Sequence, residues 1–313
     1  MKRAEILGIT ESILEKVGFQ QSKRCLSRPS CFDLAAHRKK QLALIKVYAN
    51  IGNVSAKDAS ELQKISECFS ATPLIIGEKT RRKPIEGDTV YSRYNIYAIN
   101  PKTLEDIVCH DLHPLVEAGP GGYYIKLDGN LIRENRQKLG LSVGKVAEMM
   151  GISRRTLYGY ERGMTKASVS TAYKLEWVLG APVAQSIDVF QPTSQVGGFF
   201  ATTKRIIINH YFLQTVFRKF AQFNFRVVHT KRAPFDFIAQ CSGKGIKIIC
   251  GVSDKKERNV DQRTEEIISI SKIINAQPVF ITDGQKIPNN NIPLIHREDL
   301  AKMHGPEDFI AQL

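Results

Sequence analysis

"CFDLAAHRKKQLALIKV", residues 31–47, reads as a strand, a polar turn and a second strand, with Asp33 at the start of the first and Lys46 inside the second. The same outline returns at 234–252 as "PFDFIAQCSGKGIKIICGV", again Phe-Asp, a short apolar run, a polar turn and another apolar run. The echo continues outward. "ASELQKISECFSATPLIIGEKT" (59–80) pairs with "TEEIISISKIINAQPVFITDGQ" (264–285) in helical pattern, in an Ala-x-Pro junction and in the strand after it. "IYAINPKTLEDI" (96–107) pairs with "IPLIHREDLAKM" (292–303). Each copy opens on an amphipathic segment, 4–17 in the first and about 204–222 in the second. Three matching blocks in one order define an internal repeat. The repeat predicts two α-β-β-α-β units, each a small sheet with helices on its faces.

The chain has 313 residues, room for two or three domains. Its 42% hydrophobic and 24% charged residues are those of a globular protein. Lys and Arg number 45 against 31 Asp and Glu, giving a net charge of +14 and a pI near 9.5. That balance favours a polyanionic partner, nucleic acid first and an anionic membrane second. No apolar run is long enough to span a bilayer. The opening "MKRAEILGITESILEKVGF" lacks the apolar core and small-residue cleavage site of a secretory leader. The six cysteines form no CxxC pair, and several lie in apolar segments. Reduced, buried thiols in a cytoplasmic protein are the expectation.

The α-β-β-α-β order resembles the restriction-endonuclease-like fold, archaeal Holliday-junction resolvases included. In that family an Asp ends one strand and an acidic-x-Lys triplet lies on the next. Residues i and i+2 share a strand face, so the acid and the Lys meet the same metal and phosphate. Here Asp33 and Lys46 match, but the acid position holds Leu44, and no acidic residue lies between Asp33 and Asp58. The second copy keeps Asp236, with Ile248 and Cys250 counted to the acid and Lys positions. One carboxylate per copy is a poor magnesium site, since Mg²⁺ wants several hard oxygen ligands; Glu11 or Glu15 on the first helix is the remaining source of another. No catalytic residue, metal or cofactor is therefore expected. Asp33 and Asp236 are expected to bond backbone at strand ends.

Between the copies lies "NLIRENRQKLGLSVGKVAEMMGISRRTLYGYERGMTKASVSTAYKLEWVLG" (130–180). Leu131, Ile132 and Leu139 predict one apolar face of a first helix. Ser142 caps a second helix through Met150, Gly151 supplies a left-handed turn, and Ser153 caps a third helix, 154–161. A fourth is capped near Ser168 and stopped by Gly180 and Pro182. Ala147 is the small residue of a close helix crossing, while Ile152, Leu157 and Tyr160 face the core. This spacing resembles the helix-turn-helix of lambda-repressor and Cro-type domains, although Val143 stands where that family usually has a phosphate-contacting Gln. The resemblance implies a recognition helix at 154–161. Arg154, Arg155 and Tyr158, at its outward start, are candidates to read bases, Arg by gripping guanine O6 and N7. Ser153 and Thr156 stand beside them as further DNA contacts. Lys145, Arg162 and Lys166 are candidates for phosphate contacts. Arg136 and Glu161 are expected to form an internal ion pair.

Taken with "PGGYYIKLDG", "TPLIIGEKTRR", "VYSRYNIYAI" and "SRRTLYGYERGM", the whole order is similar to a family of archaeal helix-turn-helix transcriptional regulators. The resemblance implies a DNA-binding regulator and names no effector. The expected architecture is multidomain, α/β plus all-α. It has a degenerate nuclease-like domain at 1–115, a hairpin linker at 116–129, a Cro-type domain at 130–192 and a second degenerate nuclease-like domain at 193–313. The expected partner is double-stranded DNA, bound by a homodimer. Two alternatives stay open from sequence: a structure-specific nuclease or junction-binding protein, and a non-specific nucleoid protein.

Weaker signals remain. "GPGGYY" (119–124) lacks the Gly-Lys-Ser/Thr of a phosphate loop and predicts a turn into a strand. "CHDLH" (109–113) has metal-ligand residue types in a polar loop. "KTRRKP" (79–84) is a basic run. The stretch 189–235 has no acidic residue and carries Lys204, Arg205, Arg218, Lys219, Arg226, Lys231 and Arg232, a second candidate contact with DNA or with an acidic partner.

Overall fold

The computed structural model describes residues 1–81, 83–191, 211–241, 245–253, 257, 259–284 and 292–313. Residues 204–210, with Lys204 and Arg205 of the basic stretch, lie outside these, as does Arg82 of the basic run. The first α/β segment runs α1 (Arg3–Lys16), β1 (Gln20–Gln21), β2 (Leu34–Arg38), β3 (Gln41–Asn50), α2 (Ala56–Phe69), β4 (Thr72–Lys79), β5 (Thr89–Arg93), β6 (Ile96–Ile99) and α3 (Pro101–His110). The middle runs β7 (Val116–Gly119), β8 (Gly122–Ile125), α4 (Gly129–Lys138), α5 (Val143–Met150), α6 (Arg154–Glu161), β9 (Ala167–Ser168) and α7 (Val169–Leu179). The last segment runs α8 (Tyr211–Gln222), β10 (Phe225–His229), β11 (Phe237–Cys241), β12 (Lys247–Ser253), α9 (Val260–Ile274), β13 (Gln277–Thr282), β14 (Leu294–His296), α10 (Arg297–Lys302) and α11 (Pro306–Ile310).

The chain falls into two compact units: residues 1–13, 48–52 and 76–189 in one, and 14–47, 53–75 and 190–313 in the other. The second unit holds the heart of both α/β copies. In each, an antiparallel pair leads into a helix and a further strand. β2 pairs with β3 in the register Leu34↔Ile45, and β11 with β12 in the register Phe237↔Cys250. A tight turn at Lys39, left-handed at φ 54°, joins the first pair. α2 starts at Ser55, whose side chain accepts from Asp58 N, and ends at left-handed Ser70; α9 ends at left-handed Asn275. β13 then lies parallel to β12 with α9 as the crossover, and both strands read as unbroken apolar runs because both faces are covered. Each copy carries more strands than the α-β-β-α-β outline: β1 pairs with β2 and β10 with β11 ahead of the expected strands, and β6 and β14 follow the last of them. β1 is only two residues long, too short for an alternation pattern to show. Phe220, Phe237 and Phe309 fill the last segment's core, with Phe220 stacked edge-on 4.9 and 4.7 Å from the other two rings.

In the first unit the middle segment folds as four helices with a hairpin. α5, α6 and α7 carry the caps read from sequence: Ser142 accepts from Lys145 N, Ser153 from Thr156 N and Ser168 from Thr171 N, while Gly151 and Gly180 close helices at φ 68° and 62°. Ile132, Val146, Ala147, Leu157, Ala172 and Leu175 form the core. The first helix departs from expectation: Ile132 is buried, but Leu131 and Leu139 are exposed, so the apolar face of α4 is one residue wide. Its place is fixed instead by polar closure. Asp128 caps α4 through Asn130 N and Leu131 N, Asp128 N donates to Val183 O at 2.8 Å, and Glu176 Oε1 accepts from Val183 N and Ala184 N at 2.8 and 3.0 Å. The "GPGGYY" turn is the β7–β8 hairpin, with Gly121 at φ 85°. β8 also pairs with β9 in the register Ile125↔Ala167.

Gly129 marks the closest crossing. A Cβ there would lie 2.2 Å from the carbonyl oxygen of Glu161, so α4 and α6 meet backbone to backbone. Gly129→Ala is expected to destabilise the protein by about 1–3 kcal/mol through overpacking, although Ala is the better helix former. A thermal or urea midpoint equal to or above that of the parent would refute the backbone contact.

Candidate nucleic-acid interface

The exposed side of α6 follows from what its other side must do. Leu157, Gly159, Tyr160 and Glu161 are buried, and the helical repeat then turns Arg154, Arg155 and Tyr158 outward. Glu161, 5% exposed, is a buried charge that must be matched, and Arg136 does so, with Arg133 of α4 a further contact at 3.8 Å. Arg136 meets it with a fork, Nε to Oε1 at 2.6 Å and Nη2 to Oε2 at 3.2 Å, and its Nη1 donates to Leu141 O at 3.0 Å. This is the ion pair expected from sequence, joining α4 to α6 and to the loop before α5.

The eight residues singled out for DNA contact are not equivalent. Arg154, Arg155 and Tyr158 share one exposed face. Arg162, just beyond α6, lays its guanidinium over the Tyr158 ring, 4.4 Å from the centroid, which ties it to the same face. Ser153 and Thr156 are turned toward each other, Oγ to Oγ1 at 2.8 Å, and the Ser153 hydroxyl is engaged in capping. Lys145 is exposed and paired with Glu148 at 3.2 Å. Lys166 is paired with Glu117 of β7. Sequence reasoning missed Gly144. A Cβ there would sit 3.0 Å from Arg154 Nε, so the guanidinium rests against the first turn of α5. The available signal was a glycine in the first turn of a helix where no turn needs one.

The vestigial nuclease corners have a different fate. Asp33 Oδ1 accepts from Lys46 Nζ at 2.9 Å and Oδ2 from Val47 N at 2.8 Å. Asp236 Oδ2 accepts from Val252 N at 2.6 Å, so both aspartates bond the neighbouring strand as expected. The pairing also corrects the count in the second copy. Asp33 N donates to Ile45 O and Asp236 N to Cys250 O, which makes Gly251, not Cys250, the counterpart of Lys46, and Ile249, not Ile248, the counterpart of Leu44. A longer turn between β11 and β12 displaced the register.

With glycine at the lysine position, a cation arrives from elsewhere. Arg263 of α9 is fully buried; its Nη2 donates to Asp236 and its Nη1 to Glu257 at 2.9 Å. Phe280 fills the room above Gly251, where a Cβ would meet its ring at 2.6 Å. Arg28, from the first copy, completes the cluster, 2.8 Å from Asp236 and 2.7 Å from Glu257. Burial alone would raise the Asp236 carboxyl; Arg263, Arg28 and the Val252 N–H outweigh it and hold it below the ordinary carboxylate range. The two copies interlock around this point. Glu266 Oε1 of α9 accepts from Leu26 N and Ser27 N at 2.8 Å, Glu61 Oε1 of α2 accepts from Lys231 N at 2.7 Å, and Cys31 N donates to Arg232 O at 2.8 Å.

The fold family's metal does not fit these residues. The first copy offers one carboxylate whose oxygens are engaged by Lys46 and Val47, with Leu44 buried at the acid position. The second offers two carboxylates matched by two guanidiniums. Among the described residues no group of three His, Cys, Asp or Glu is placed to hold a metal, the "CHDLH" loop included. No described helix is long and apolar enough to cross a membrane.

An eight-residue capped helix presenting arginines from a four-helix domain, in a chain whose α/β copies have closed acidic corners, defines a helix-turn-helix protein with degenerate nuclease-like segments. Family models agree: a PD-(D/E)XK superfamily domain matches residues 3–114 and a helix-turn-helix model matches 132–185. A protein of Thermococcus gammatolerans is 32% identical over 311 residues, covering 99% of this chain and 96% of its own. One from Methanocella arvoryzae is 33% identical, covering 99% and 95%. Both are described as "Putative HTH-type transcriptional regulatory protein". The chain belongs to this family of archaeal HTH-type regulatory proteins. Among solved structures, the master regulator for biofilm formation SinR in complex with DNA is 30% identical over 17% of this chain and 86% of its own, with a TM-score of 0.16.

Asp236→Asn is expected to destabilise the protein by about 3–5 kcal/mol, because it strips a partner from the buried Arg263 guanidinium and from the half-buried Arg28 guanidinium. The depressed carboxyl fixes the pH dependence. Its contribution is present above the unfolded Asp value of about 3.9 and is lost as pH falls through the lower folded value. Urea midpoints of parent and variant should therefore converge only below about pH 4. A gap unchanged at lower pH would contradict the assignment.

Proposed function

We propose that the protein is a sequence-specific, DNA-binding transcriptional regulator that lays α6 in the major groove. The observation that carries this reading is the shared exposed face of Arg154, Arg155 and Tyr158, held by the buried Arg136–Glu161 pair. The two arginines read bases, most directly guanine O6 and N7, and Tyr158 touches a phosphate or a thymine methyl. Ser153 and Thr156 set the start of the helix against the DNA. Lys145, Arg162 and Lys166 contact phosphates and fix the register without reading sequence. The names of the relatives support a regulatory role. We read the chain as a scaffold at 1–115, a hairpin at 116–129, the DNA-reading domain at 130–192 and a second scaffold at 193–313, acting in the cytoplasm.

A single such domain reads few base pairs, so we propose a homodimer on a two-fold symmetric operator. Support comes from α7, where Val169, Tyr173 and Trp177 recur at four-residue spacing and are all exposed, Trp177 to 77%. The positive charge of Arg218, Lys219 and Arg226 in the last segment adds to the electrostatic attraction.

Arg154→Ala and Arg155→Ala should each weaken operator binding by about 1–3 kcal/mol and relax base preference, measured by fluorescence anisotropy on operator and unrelated duplexes. Equal losses on both duplexes would remove the base-reading role. Arg162→Ala should instead weaken both alike and lower the salt slope by about 1. Sedimentation should show two chains per operator; a monomeric complex on one asymmetric half-site would overturn the dimer.

A further inference from the structure

The first unit holds a cleft of about 740 Å³ that the DNA-reading helices do not use. Its volume lies within the roughly 300–1,000 Å³ of small-molecule sites. One wall is the β5–β6 turn, where Tyr94 and Asn95 take left-handed backbone at φ 51° and 61°. That geometry carries Tyr94 outward, and it is 53% exposed. The other wall is the β7–β8 hairpin, which adds Glu117, Gly119 and Tyr123, the last 39% exposed. β5 and β7 are hydrogen-bonded neighbours, Tyr91↔Ala118, so the two walls are parts of one rigid surface.

The charges in the cleft are unequally satisfied. Glu117 is paired with Lys166. Glu86, which is not part of the lining, accepts from the Tyr123 hydroxyl at 2.8 Å, a bond that, ahead of burial, pushes that phenol up to about 12 and keeps it a neutral donor. Arg93 differs: its Nε is buried and has no hydrogen-bond partner among the described residues. A guanidinium with an unmatched N–H carries an uncompensated cost, and because Arg93 also lines the cleft an anion there can bond the same group. The planar fork of arginine suits a phosphate, and exposed tyrosyl faces suit a flat ring. Gly119 and Gly122 leave the hairpin wall without side chains that would hold such a ring away.

We propose that this cleft is an effector site for a nucleoside phosphate, with the base against Tyr94 and Tyr123 and the phosphate on Arg93. A connection to DNA binding is built in. Glu117 lines the cleft and holds Lys166, which the functional reading assigns to a DNA phosphate. Lys166 leads directly into β9, which pairs with β8, and Ser168 of β9 caps α7. A phosphate beside the Glu117–Lys166 pair adds negative charge there and holds Lys166 on Glu117, so the ligand lowers DNA affinity. Linkage requires DNA to lower ligand affinity by the same factor. The occupancy of the cleft does not depend on the regulatory reading; only its consequence rests on it.

The test is calorimetric titration of the full chain, without DNA, using adenosine monophosphate, adenosine and inorganic phosphate as probes. The nucleotide should saturate one site per chain, with the other two probes at least about tenfold weaker. Arg93→Gln and, independently, Tyr94→Ala on the exposed turn should each weaken nucleotide binding about tenfold while leaving operator affinity in the absence of nucleotide unchanged. No saturable binding, equal binding of inorganic phosphate, or indifference to both substitutions would overturn the site. With the site established, the nucleotide should lower operator affinity by about fivefold or more, and Glu117→Gln should reduce that effect. Nucleotide binding without any change in operator affinity would overturn the effector role. Failure of the parent chain to bind DNA would instead count against the regulatory reading, and the titration would still decide the cleft.

Discussion

Arg28 and Arg263 meet Asp236 and Glu257 in a cluster where two positive groups face two negative ones, with Arg263 fully buried. Charges taken out of water persist only when matched, so each member constrains the rest. α9 must present Arg263 inward, β12 must carry glycine at position 251 with Phe280 over it, and the loop before β2 must bring Arg28 across. The strand pairing of the last segment and its contact with the first are thus fixed around one point. The same closure removes chemistry. Asp236, the one carboxylate that the second copy keeps from a metal-dependent nuclease, is here the anchor of two arginines.

With the acidic corners closed, the basic character of the chain is expressed elsewhere. In the middle segment the logic of burial repeats at smaller scale: Glu161 is drawn inside, Arg136 and Arg133 of α4 answer it, and Arg154 and Arg155 stay on the exposed face of α6. Gly129 lets α4 approach α6 closely enough for that pair to form, and Gly144 gives Arg154 a place to rest. Function on this scaffold comes from which charges are buried and which are left out.

The middle segment was legible because its signals are local. Caps at Ser142, Ser153 and Ser168 and the glycines at 151 and 180 act within a turn of their own position, and the Arg136–Glu161 pair follows from helical geometry once the caps are placed. The repeat was legible in outline for the same reason. What escaped was set by contacts distant in sequence. Arg28 and Arg263 are separated from Asp236 by long stretches of chain, and nothing in their neighbours marks them as its partners. The register of β12 was miscounted because a turn of different length intervenes, and only the pairing of Asp236 N with Cys250 O resolves it. Leu131 and Leu139 misled in the opposite way, since an apolar residue on a short helix need not face the core.

The central claim is that the nuclease-like units serve as a closed scaffold while α6 reads DNA. Selection of bound duplexes from a random-sequence pool by the full chain, in magnesium and with the recovered DNA examined for breaks, addresses both halves at once. The expected result is convergence on a short motif containing guanines, altered when Arg155 is replaced by Ala, on DNA recovered intact. Recovery of unselected sequences, or of DNA cut by the protein, would contradict it.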